Sequence, residues 1–95
     1  MKQEKNYTAN WKTNHNMTNL EKYNDIFVQV FGANVAQLDD NYSKENVPMW
    51  DSVHQLNIIT LIEETFDLML DPEDIMACTS YNAGKEILAK NDILL

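Results

Sequence analysis

Ser52 stands between Asp51 and Val53 at the head of a long apolar-striped segment, in the stretch "MWDSVHQLNIITLIEETFDLMLDPEDI". A serine nucleophile needs an adjacent general base and a turn that presents its hydroxyl. The chain offers only His15 and His54 as imidazole bases and has no G-x-S-x-G elbow. His54 lies two places along from Ser52, and side chains at i and i+2 of a helix do not face each other. Hydrolytic catalysis at Ser52 is therefore disfavoured. "SVHQ" instead fits the S-x-x-Q capping pattern, so Ser52 is expected to cap the segment that follows, with Gln55 in support.

The remaining reactive side chains point to no further chemistry. Two dispersed histidines and one cysteine have no metal-ligand spacing, and "DLMLDPEDIMAC" lacks the alternating oxygen donors, turn glycine and final glutamate of a calcium loop. No metal site is expected, and the acids read as caps and surface. Cys78 follows the apolar run "IMA", has no basic neighbour in sequence, and is expected to be buried and inert.

Local signals place the elements that hold these residues. "TNLE" at 18–21 matches a capping box, with Thr18 accepting the Glu21 amide and Glu21 reaching back. Leu20, Tyr23, Phe27, Val30 and Phe31 then recur at helical spacing, flanked by Ile26, up to a terminating Gly32. A first helix is predicted over 19–31. From 33 to 51 no period is sustained, and Val35, Leu38, Tyr42, Val47, Met49 and Trp50 are the apolar anchors of a long ordered loop, a feature that is usually functional.

A second helix is predicted over 52–66. Its core stripe is Ile58, Ile59, Ile62 and Phe66, and its opposite side carries Val53, Asn57, Thr60, Glu64 and Asp67, with Leu61 at the edge. "DPEDIMA" reads as a short third helix, with Asp71 as cap, Pro72 in the first position, and Glu73 and Asp74 complementing the helix dipole. Thr79 or Ser80 caps a fourth helix, which turns Ile87 and Leu88 inward and is weakened by Gly84. The expected class is all-α, four helices with one short member.

Composition agrees with an ordered helical chain: 95 residues, 44% hydrophobic, two glycines and two prolines. Fifteen acidic side chains face seven lysines, for a net charge of −8. Lys2, Lys5 and Lys12 against Glu4 put +2 on residues 1–17, leaving −10 on the rest. Nucleic acid and anionic membrane are poor partners for such a chain. No apolar run approaches the roughly 18 residues that span a bilayer. One cysteine and an N-terminal stretch without an apolar core suggest a cytoplasmic protein. Residues 1–17 are expected to be a flexible leader ahead of a domain over 18–95.

The stretch "WDSVHQLNIITLIEETFDLMLDPEDI" resembles the segment from the second to the third helix of the acyl carrier protein family, in which a D-S-[L/V] motif receives 4′-phosphopantetheine on its serine. "FGANVAQLDDNYS" resembles that family's first-helix end and the start of its long loop, and the likeness runs over about residues 18–90. It implies a four-helix bundle of acyl-carrier type, with a short third helix and a long loop between the first two. It further implies a non-enzymatic carrier holding acyl groups as thioesters on an arm attached to Ser52. Asp51 would then support recognition by a phosphopantetheinyl transferase. Val53, Thr60, Leu61, Glu63, Glu64 and Asp67 would meet partner enzymes that load, transfer or condense acyl or aminoacyl groups. Ile58, Ile59, Ile62 and Ile75 would either line the space for an acyl chain or serve as ordinary core.

His54, Asn57 and Thr60 depart from the acids and methionine of the family's fatty-acid members. The departures suggest a specialised fatty-acyl, polyketide or lipid pathway, served by a monomer with dedicated partners. Trp50 is either part of that departure or an apolar plug closing the loop. An aminoacyl or peptidyl carrier, and a docking module of the same fold that carries nothing, are the alternatives.

Overall fold

Among the described residues the chain forms four α-helices, and a side chain able to accept an amide proton stands just before each. In the computed structural model, which describes residues 17–95, the helices are α1 (Asn19–Phe31), α2 (Ser52–Phe66), α3 (Pro72–Ala77) and α4 (Tyr81–Lys90). The expected leader lies outside the described residues but for Met17. α1 starts on a complete capping box: Thr18 Oγ1 accepts from the Glu21 amide at 3.1 Å, and Glu21 Oε1 accepts from the Thr18 amide at 2.9 Å. It ends at Gly32, whose φ of 66° lies in the left-handed region and whose N–H reaches Val28 O.

Asp71 caps α3 and Pro72 opens it; Ser80, of the two candidates, caps α4 through the Ala83 amide. α2 departs from expectation. Its cap is Asp51, whose carboxylate accepts from the His54 amide at 2.9 Å, so Ser52 is the first helical residue and not the cap. Gln55 does not reach back. Its side-chain N–H donates to Ile75 O at 3.0 Å and ties α2 to α3.

The core gathers around α1. Tyr23, Ile26, Phe27 and Phe31 are buried, facing Ile58, Ile59 and Ile62 of α2 and Tyr81, Ile87 and Leu88 of α4. Phe27 sits amid five aromatic rings at centroid distances of 5.1–6.2 Å, those of Tyr23, Phe31, Tyr42, Trp50 and Tyr81. Such pairs add about 0.5–1.5 kcal/mol each beyond the burial of their area. Ile26, expected at the margin of the stripe, belongs to the core, while Leu20 in the first turn is exposed because no core residue packs over it.

The 33–51 connection is ordered, with a 3-10 turn at Val35–Gln37. Among the described residues no strand forms, but Ser43 and Ser80 make an isolated antiparallel bridge. Beside it the Tyr81 amide donates to Tyr42 O at 2.8 Å and the Lys44 amide to Thr79 O at 2.9 Å. Tyr42 and Trp50 are the deep anchors, and Trp50 plugs the loop onto Phe27 and Phe31; Val35 and Met49, read as anchors, are exposed instead.

Two further expectations change in three dimensions. A Cβ on Gly84 would lie 2.0 Å from Tyr23 Oη, so the glycine that lowers helix propensity is what lets α4 close on α1. That Tyr23 hydroxyl donates to Tyr81 O at 2.6 Å. Asp74 is not a surface acid: it is buried and hydrogen-bonded to Lys90 Nζ, which joins α3 to α4. Among the described residues no helix is long and apolar enough to cross a membrane.

Candidate functional site

The site forms where the pinned loop delivers Asp51 to the start of α2. Asp51 Oδ1 accepts from the His54 backbone at 2.9 Å and lies 2.7 Å from His54 Nδ1. The His54 ring stacks on Phe31, with centroids 5.5 Å apart and planes 10° from parallel. The Asp51 carboxyl is held below its ordinary value, chiefly by the His54 amide and then by the His54 ring. His54 is thus committed to Asp51 and the aromatic core. It is not a base for Ser52.

Because Asp51 does the capping, the Ser52 hydroxyl is released from that duty and stands exposed in the first turn of α2. Exposed apolar side chains surround it: Met49, Val53 and Leu56 are 50%, 65% and 57% exposed, where large aliphatic residues would ordinarily be covered. The first turn of α2 contains no acid.

An open cleft of about 340 Å³ adjoins the serine, lined by Lys44, Ser52, Gln55, Leu56, Ile75, Met76 and Thr79. Of the four isoleucines expected to line an acyl space, Ile75 alone borders this cleft. Ile58, Ile59 and Ile62 are fully packed core, at 0%, 3% and 0% exposure. Lys44, Met76 and Thr79 come from the loop, from α3 and from the α3–α4 junction, and no sequence pattern links them to Ser52. The Ser43–Ser80 bridge, the Lys44 amide bonded to Thr79 O and the Gln55–Ile75 bond bring their segments together.

The six residues expected to face partners divide. Val53, Thr60, Glu64 and Asp67 are exposed, and Thr60 Oγ1 donates back to Leu56 O at 2.9 Å. Glu63 is half-buried, because its carboxylate accepts from the Leu70 amide at 2.9 Å and closes the α2–α3 connection. Leu61 is half-buried as well, and with Glu64 it lines a second groove, between α1 and α2, together with Met17, Lys22, Asp25 and Gln29. Cys78 is buried, and burial pushes its thiol up to about 11, which makes it a poor nucleophile.

Comparison with known proteins finds no matching family model, no similar curated protein and no similar solved structure.

Proposed function

We propose that this protein is a carrier of acyl-carrier type that takes 4′-phosphopantetheine on Ser52 Oγ and presents acyl thioesters to partner enzymes. The observation that carries the reading is the exposed Ser52 hydroxyl at the first position of α2, with the capping role taken by Asp51. A carrier serine has to be reached by a second protein and to hold a phosphodiester afterwards. Exposure meets the first need. The helix dipole and the first-turn amides not taken by Asp51 meet the second, because they favour an anion.

The long connection supports the reading too, since it is fixed to the α3–α4 junction and so delivers a rigid Asp51-Ser52 step. The arm supplies the thiol, and Cys78 is too deeply buried to compete with it. Partners would be a phosphopantetheinyl transferase, then loading, acyltransferase or condensing enzymes. They would approach over Met49, Val53, Leu56 and Thr60, with Glu64 and Asp67 further along α2. That front is apolar where acids would be expected, which favours dedicated partners in a specialised pathway.

The test is the intact mass of the full chain after incubation with a promiscuous phosphopantetheinyl transferase, magnesium and coenzyme A, beside Ser52→Ala. A gain of one phosphopantetheine on the wild type alone is expected. No gain, with a known carrier modified in parallel, would overturn the reading and leave a docking module of the same fold.

A further inference from the structure

The cleft beside Ser52 differs in charge from the rest of the molecule. The chain has a net charge of −8, yet no carboxylate lines this cleft, and its one ionic side chain is Lys44. The other groove has a cation as well, Lys22, but Asp25 and Glu64 line it too. The two ion pairs among the described residues engage Lys90 with Asp74 and His54 with Asp51, not Lys44. The Lys85 ammonium lies 5.2 Å from the centre of the Tyr81 ring.

Lys44 is also held in place at its backbone. Its amide donates to Thr79 O at 2.9 Å, and its neighbour Ser43 bridges Ser80. Gln55, on the α2 wall, is fixed to Ile75 of α3. A cation on an ordered segment thus shares one small cleft with Ser52, and Leu56, Ile75 and Met76 give that cleft its apolar walls. Long lysine side chains lay their methylenes along apolar surface and keep the ammonium in water, where it can meet an anion.

We propose that this cleft is an anion subsite, in which Lys44 Nζ holds a negatively charged oxygen group tethered to Ser52 Oγ. The inference rests on the carrier reading. Two groups share the required chemistry: the phosphodiester of the arm, and the free carboxylate of a short dicarboxylic acyl cargo folded back along Ile75 and Met76.

The experiment loads full-length wild type and Lys44→Gln from coenzyme A, butyryl-coenzyme A and succinyl-coenzyme A, verifies each product by mass, and compares melting temperatures at low salt. If the phosphodiester is the occupant, every loaded wild-type form gains about 3 °C over the matching Lys44→Gln form, relative to the unloaded proteins. If the carboxylate is the occupant, only succinyl-loaded wild type shows that gain. Lys44→Arg should retain it, and about 0.5 M salt should diminish it by screening. Equal shifts in wild type and Lys44→Gln for all three cargoes would overturn the proposal.

Should no mass be gained, the carrier reading falls by itself. The subsite is then tested in Ser52→Cys joined as a mixed disulfide to a mercapto acid or to its neutral amide, with Cys78 protected by burial. Stabilisation by the acid form that disappears with Lys44→Gln would sustain the subsite; equal melting would overturn it.

Discussion

α1 and α2 begin on the same kind of signal, a hydroxyl residue followed three places later by Glu or Gln, and they use it differently. At α1 the pattern is the cap: Thr18 and Glu21 exchange both hydrogen bonds. At α2 Asp51 stands one residue earlier, and its carboxylate reaches the His54 amide first. Ser52 is displaced into the first turn, Gln55 turns to α3, and the hydroxyl is left outward. An equally good capping side chain one step upstream takes over the cap and leaves the serine accessible.

The largest expected effect is the loss of all phosphopantetheine attachment in Ser52→Ala, with a melting temperature within about 2 °C of wild type, as for a surface change away from any cap. A drop as large as that of a cap variant would break the comparison. Gly84→Ala, where α4 closes on α1, sets the scale for packing. Its methyl would collide with Tyr23 Oη, and urea denaturation should register a loss of about 3 kcal/mol.

Thr18→Ala should lose about 1 kcal/mol in the same assay, because it leaves the Glu21 amide without its partner. Gln55→Ala removes a half-buried bond between α2 and α3, and should cost about 0.5–1 kcal/mol with faster amide exchange in α3. The smallest effect is pH-dependent. The Asp51 carboxyl titrates lower in the folded chain than its ordinary value of 3.8, so its contribution is present above that pH and is lost as pH falls through the lower folded value. The melting difference between wild type and Asp51→Asn should therefore be visible near neutrality and shrink in acid. A difference that does not change with pH would break the assignment of Asp51 as the charged cap.

Helix limits were legible where a single local contact sets them. Thr18, Gly32, Asp71 and Pro72 each act within four residues, and α1 and α3 start where those residues predict. Ile58, Ile59 and Ile62 were legible as core from their spacing alone. The cap of α2 was misread because two adequate acceptors are adjacent, and local pattern does not rank Asp51 above Ser52. Half of the site was legible: Asp51, Ser52 and Val53 stand together in the chain, whereas Lys44, Met76 and Thr79 reach Ser52 through tertiary contacts, the pairing of the loop with the α3–α4 junction and the Gln55–Ile75 bond.

The sequence by itself determined the all-helical class, the places where α1 and α3 begin, the apolar side of α2 and the presence of one serine at its head, because periodicity and capping act over a few residues. The tertiary structure decided which side chain caps α2, why Gly84 must lack a side chain, why Asp74 is buried against Lys90, and which cation shares a cleft with Ser52. Asp74 and Lys90 are 16 positions apart, Tyr23 and Gly84 are 61 apart, and the His54 ring beside the Asp51 cap rests on Phe31, 23 positions away. Contacts at that separation exist only once the core has closed.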